Sequence, residues 1–132
     1  MSERKVIIPD GMQENYDKMR YAPAVLVDNV LYVSGQVGRD ENKQLVEDKR
    51  GQFVQTFENI KRILDAAGAS FDDIVDVSTF HTDMRDLPLY MEVRDAYITS
   101  SDFYPTWTAT GAHMIGHQPG CFIEVKVIAH LR

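Results

Sequence analysis

Long hydrophobic runs are missing from this chain of 132 residues. The N-terminus, Met1-Ser2-Glu3-Arg4-Lys5-Val6-Ile7-Ile8-Pro9, holds only three consecutive apolar residues. A secretory signal needs about 7–15 and a membrane helix about 20, so neither is expected. Cysteine is nearly absent too. A lone Cys121 forms no internal disulfide, which fits a reducing compartment. The chain therefore reads as cytoplasmic. Positive charge is scarce: 14 Lys and Arg stand against 20 Asp and Glu, for a net charge of −6. With no basic run, this argues against a nucleic acid or an anionic membrane surface as partner. Repeats, low-complexity tracts and linker-like stretches are also missing, and the length suits a single domain over 1–132. A domain near this size buries roughly 70% of its extended-chain surface, enough for one core without disulfide or metal.

Several catalytic signatures are missing as well. There is no P-loop and no dinucleotide fingerprint, and no cofactor is expected. Ser34 lacks the preceding glycine of a Gly-x-Ser-x-Gly elbow, because Tyr32 stands there. His113 and His117 have an i, i+4 spacing, but Gly111, Gly116, Pro119 and Gly120 forbid a helix, and no further ligand lies nearby. No metal site is expected. His81 reads as a structural strand histidine and Cys121 as a buried, inert thiol.

The elements that are present follow from periodicity. Val6-Ile7-Ile8 is a short strand ended by Pro9 and Gly11. Ala24–Val27 and Val30–Ser34 are β-branched runs separated by Asp28-Asn29, a tight hairpin. Residues 39–47 are polar and read as a loop. From Asp48 the period becomes helical: Phe53, Phe57, Ile60, Leu64 and Ala67 form one stripe, and Gly68 ends it. Ile74–Phe80 is a strand with Val75, Val77 and Thr79 alternating against Asp76 and Ser78. Asp86 reads as an N-cap with Pro88 in the first turn, and Leu89, Val93 and Tyr97 as the stripe of a second helix. Thr106–Thr110 is a short strand. Cys121–Leu131 is a long one, with Ile123, Val125, Val127, Ala129 and Leu131 on one face and Phe122, Glu124, Lys126, Ile128 and His130 on the other. Two helices of about 12–20 residues on one face of a mixed sheet make a two-layer α+β domain. The mixed polar and apolar character of the other sheet face suits packing against another subunit.

Three segments carry a resemblance: Val30-Leu31-Tyr32-Val33-Ser34-Gly35-Gln36-Val37-Gly38, Tyr104-Pro105-Thr106-Trp107-Thr108 and Phe122-Ile123-Glu124-Val125-Lys126-Val127-Ile128-Ala129. With Asn29, Ala66-Ala67-Gly68-Ala69, Asp83 and Tyr97 at their flanks, the stretch from Tyr21 to Ala129 resembles the YjgF/RidA family of small enamine/imine deaminases. Thr79-Phe80-His81-Thr82-Asp83 and Pro105-Thr106-Trp107-Thr108-Ala109 are similar to a YjgH-like branch. The resemblance implies a chorismate-mutase-like fold and a homotrimer whose three sheets surround a central barrel. A small-molecule metabolite would bind in clefts between subunits. It also implies cleft positions at Tyr21, Ser34, Gly35, Arg94, Trp107 and Thr108, and a water-positioning Glu124. The loop Gly111–Gly120 is about two residues longer than the family's usual loop.

One departure bears on the chemistry. Trp107 falls where the deaminases carry an arginine that grips the substrate carboxylate. Arginine suits that task because its planar fork bonds both oxygens at once, whereas tryptophan has one donor and a large apolar face. Trp107 has two readings: a plug that packs a vestigial pocket, or a stacking wall for a larger, less anionic ligand. Arg94, where many deaminases have asparagine, is either a surface residue or a replacement anchor. Glu124 is either half of a cross-strand ion pair with a lysine or a base whose pKa is raised by desolvation. The expected activity is hydrolysis of an enamine- or imine-type metabolite with a substrate outside the standard set. The alternative is a non-catalytic small-molecule-binding trimer.

Overall fold

In the computed structural model, which describes residues 3–132, the order is β1 (Lys5–Ile7), β2 (Ala24–Val27), β3 (Val30–Val33), α1 (Lys49–Ala67), β4 (Ile74–His81), α2 (Leu87–Tyr97), β5 (Thr106–Gly111) and β6 (Ile123–His130). Asp28 and Asn29 take φ of 50° and 68°. A mirror-image two-residue turn needs left-handed backbone at both central positions, and short polar side chains tolerate it. The turn sets the β2–β3 register at Val27↔Val30.

The sheet order is β1-β2-β3-β6-β4-β5. The last strand thus inserts between β3 and β4, antiparallel to both, while β4 and β5 run parallel at the edge. Parallel neighbours need a crossover, and α2 supplies it. Along β6, Ile123, Val125, Val127 and Ala129 are buried against the helices, as their period of two predicts. Val75 departs from the expected alternation. A register shift between Ile74 and Asp76 turns it outward, 41% exposed, and Ile74, Val77, Thr79 and His81 form the buried set. This is the extra residue of a β-bulge.

α1 begins where the Asp48 carboxylate accepts the Gly51 N–H at 2.7 Å. It ends at Gly68, whose φ of 75° lets its N–H turn back to Asp65 and Leu64. Its buried apolar face holds Phe53, Phe57, Ile60, Ile63 and Leu64. Each such side chain contributes about 1.5–3 kcal/mol on burial.

α2, at 11 residues, is shorter than expected. Asp86 makes no capping bond. Its backbone is already helical, because a 3₁₀ turn over Met84–Asp86 runs straight into α2. Asp83 does the capping, accepting the Arg85 N–H at 2.9 Å, and Asp86 pairs with Lys49 at 3.0 Å. The buried residues of α2 are Tyr90 and Val93, with Leu89 and Tyr97 at the margin. The other face of the sheet has no layer over it among the described residues. It carries Tyr32, Phe80, Lys126, Ile128 and Thr108 in its central and edge strands.

Candidate functional site

Two concavities flank the sheet. The first is a cleft of about 820 Å³ whose walls include Tyr21, Gly35, Arg39, Gln118, Cys121 and Glu124. Its centre is a close approach of backbone and carboxylate. A Cβ at position 35 would lie 2.8 Å from Cδ of Glu124 and closer still to Oε1, so only glycine lets the carboxylate rest there. Paired backbone bonds between Gln36 and Val125, 2.8 and 3.0 Å, hold the two segments in register. Ser34 stands behind Gly35. Its hydroxyl donates to the Ala22 carbonyl at 2.6 Å and its N–H to Pro23 at 2.9 Å, which ties down the segment that presents Tyr21.

Glu124 sits on the outward face of β6 and is partly buried. Among the described residues its carboxylate has no hydrogen-bond or ion-pair partner. No cross-strand ion pair is formed: the residue opposite Glu124 on β4 is Phe80, and Lys126, two residues along the same strand, donates to the Val33 carbonyl at 3.1 Å. Burial pushes the Glu124 carboxyl above its ordinary value, and the Lys126 charge opposes this only in part. Cys121 is buried, its thiol directed to the Ile123 carbonyl at 3.6 Å, and burial raises its pKa, so it is an unreactive thiol.

The second concavity, about 600 Å³, is lined by Tyr90, Arg94, Ser100, Tyr104 and Trp107. The Arg94 guanidinium lies 5.4 Å from the Trp107 ring and 5.9 Å from that of Tyr90, within cation–π range. Its Nε and Nη2 donate to Asp95 Oδ1 at 3.0 and 2.8 Å. The Trp107 indole N–H donates to Thr79 Oγ1 at 2.9 Å, and its ring packs 5.3 Å from Tyr90. Thr79 is buried beneath the helices, so Trp107 belongs to the helix face. The same threonine hydroxyl meets His81 Nε2 at 2.7 Å. Burial lowers the His81 pKa, with the Asp86 charge opposing it, and the buried ring packs edge-on against Tyr90 at 5.6 Å. Thr108 is exposed on the opposite face of β5, beside Ser78.

The expected site residues therefore fall into two groups. Tyr21, Ser34, Gly35 and Glu124 meet around the first cleft. Arg94 and Trp107 meet at the second, across the sheet from Glu124, and Thr108 stands alone at the edge. Among the described residues no three His, Cys, Asp or Glu side chains are grouped to hold a metal, and no helix is long and apolar enough to cross a membrane.

Sequence reasoning missed the amides that build the cleft. Gln52 is fully buried; its Nε2 donates to the Val46 and Gly120 carbonyls, both at 2.9 Å, and its Oε1 accepts the Phe122 N–H at 2.6 Å. Asn59 donates to the Val37 and Arg39 carbonyls at 3.0 and 2.9 Å. The signal was present: Gln52, Thr56, Asn59 and Ile63 repeat the 4, 3, 4 spacing of the apolar stripe one residue earlier. Arg39 and Gln118 were missed because both lie in loops that periodicity does not reach.

The comparisons with known proteins agree with this architecture. Residues 13–131 match the family described as endoribonuclease L-PSP. The RutC family protein YjgH of Escherichia coli (strain K12) is 39% identical over 132 residues, covering 99% of this chain and 98% of that protein. The 2-iminobutanoate/2-iminopropanoate deaminase of Homo sapiens is 32% identical over 112 residues, 83% of this chain and 78% of that protein. A solved structure of YjgH superimposes with a TM-score of 0.85 at 37% identity, over 98% of this chain and 97% of that one. The chain belongs to the YjgF/RidA family, in its YjgH-like branch, a family whose members include imine deaminases.

Proposed function

We propose that this protein hydrolyses an enamine- or imine-type metabolite at the Glu124 cleft and works as a homotrimer. One observation carries the catalytic part: a partly buried carboxylate with raised pKa, pressed against Gly35, with no protein partner for its oxygens. Such a group is available to a water, and desolvation makes it a stronger base. In the reaction, the water oxygen bonds to the imine carbon while Glu124 takes a water proton. The C=N electron pair moves to nitrogen. The proton passes from Glu124 to that nitrogen to give a carbinolamine; Glu124 then carries the hydroxyl proton to the nitrogen, ammonia leaves, and the carbonyl forms. An enamine first takes a proton at carbon, which the protonated form of the same carboxyl supplies. Tyr21, Ser34 and Gly35 shape this half of the cleft.

The trimer is supported by the uncovered sheet face. In it, Thr108 and the Arg94–Trp107 pair at the edge of one protomer would wall the Glu124 cleft of its neighbour. Trp107 then acts mainly by packing, since its N–H is committed to Thr79. That commitment, with the pairing of Arg94 to Asp95, favours the second reading, a metabolite-binding trimer with no turnover.

The test follows ammonia release from imines without an adjacent carboxylate, generated in place by an amine oxidase, beside the 2-imino acids made by an amino-acid oxidase. Glu124→Gln should slow hydrolysis by about 10²-fold or more. Equal rates in parent and variant would leave only the binding reading. Light scattering should give three times the chain mass of 15.1 kDa, and a monomer would remove any cleft shared between protomers.

A further inference from the structure

The loss of an arginine at position 107 removes one cation from the expected site, but another cation lies in the cleft on the Glu124 side of the same chain. We propose that Arg39 is the anion anchor of this cleft and selects ligands whose carboxylate is several bonds away from the reacting carbon. This rests on the hydrolase reading for the word "reacting"; the anchor itself is a claim about binding.

Arg39 lines the same cleft as Glu124, Gly35 and Tyr21. Its guanidinium is partly buried and held by neutral acceptors alone: Nη1 donates to the Lys43 carbonyl at 3.1 Å and Nη2 to Oε1 of Gln118. Two of its five N–H groups are thus used, and no carboxylate among the described residues pairs with it. Four other arginines are each paired with a carboxylate. Arg94 is paired with Asp95, Arg50 with Glu92, Arg85 with Asp83 and Arg132 with Asp73. Within the cleft, Lys43 is paired with Glu14, and Arg62, which also meets only a carbonyl, that of Asp10, is exposed where Arg39 is partly buried. Asp40, next in sequence, turns Oδ1 to the Asn42 and Gln44 N–H groups at 2.9 Å each, and Glu41 lines the cleft without contacting Arg39. A partly desolvated guanidinium with no carboxylate in ion-pair contact favours an anionic ligand.

The position is built. Asn59 on α1 fixes the Arg39 carbonyl at 2.9 Å, and Gln118 reaches the Arg39 side chain from the Gly111–Gly120 loop, which buries Ile115 as it crosses. Arg39 does not ion-pair with Glu124. Both line the cleft beside Cys121, with their charged groups beyond ion-pair distance of each other. A cleft of about 820 Å³ is also far roomier than a four-carbon imino acid requires. Anchor and base at separate points suit a ligand that spans them.

The experiment measures binding of 5-oxohexanoate, its amide and 2-oxobutanoate to the intact protein by calorimetry. The parent should bind 5-oxohexanoate at least about tenfold more tightly than the amide, a charge-assisted contact's worth, and more tightly than 2-oxobutanoate. Arg39→Gln should bring acid and amide together, with unchanged circular dichroism and oligomeric mass. Arg39→Lys should recover part of the difference, because it keeps the charge without the fork. Arg50→Gln, a surface control, should leave the ratio as it is. The proposal is overturned if acid and amide bind the parent equally, if neither binds, if Arg39→Gln keeps the ratio, or if Arg94→Gln abolishes it instead. Glu124→Gln separates the two ideas: loss of turnover with the binding ratio kept supports both, and unchanged turnover removes the hydrolase reading while Arg39 stands.

Discussion

Gln52→Leu tests whether one buried amide holds the cleft together. The substitution keeps an apolar side chain of similar bulk, one atom shorter, and removes three hydrogen bonds at once, to the Val46 and Gly120 carbonyls and from the Phe122 N–H. The three groups do not suffer equally. Gly120 is exposed and Val46 partly so, and water can satisfy their carbonyls. The Phe122 N–H sits between buried Cys121 and Ile123 at the start of β6. Leaving one such group without a partner costs about 1–3 kcal/mol, and the two rehydrated carbonyls together about 1–3 kcal/mol more. The added apolar burial of leucine offsets about 1 kcal/mol. The net loss is about 3 kcal/mol, a large share of a typical 5–15 kcal/mol. With a urea slope of about 2 kcal/mol per molar, the unfolding midpoint should fall by about 1.5 M. The comparison must be run at one protein concentration, because the stability of the proposed trimer would depend on it. A shift under about 0.5 M would refute the idea that this amide braces the loops around the cleft.

Three further outcomes are expected. Gly35→Ala should displace the Glu124 carboxylate and cost about 1–3 kcal/mol from overpacking, with a fall in imine hydrolysis; a variant with parental stability and rate would mean the segment yields freely. Burial keeps the Glu124 proton on to higher pH in the folded chain than in the unfolded one. The carboxyl therefore costs nothing at a pH below its ordinary value of 4.5 and destabilises the fold as pH rises through its raised folded value. Glu124→Gln should accordingly be more stable than the parent at neutral pH and equal to it in acid, read from urea midpoints across that range. Trp107→Phe should lose the bond to Thr79 and about 1–2 kcal/mol, visible as a lower thermal midpoint, and a neutral result would show that the indole N–H is satisfied equally well by water.

Much of the fold is local and legible in the sequence. The Asp28-Asn29 turn, the α1 stripe closed by Gly68 and the alternation along β6 are each decided by neighbours a few residues apart, where steric preference and burial period act directly. Even the two-faced character of β6, with Glu124 on the outward side, follows from a repeat of two. Other features depend on partners far along the chain. Whether β6 pairs at an edge or inserts between β3 and β4 is a choice among long-range pairings of similar local energy. The outward turn of Val75 follows from a register shift against β6, and the cap at Asp83 rather than Asp86 from the way one turn runs into the next. The same holds for the site. Trp107 and Glu124 are easily imagined together from their positions in the chain, yet strand parity puts them on opposite faces of the sheet. Arg39, in a loop without periodicity, becomes a cleft residue only because Asn59 and Gln118, 20 and 79 residues away, close on it. Contacts over such separations are set by how the whole chain packs, because no local preference distinguishes them until the core has formed.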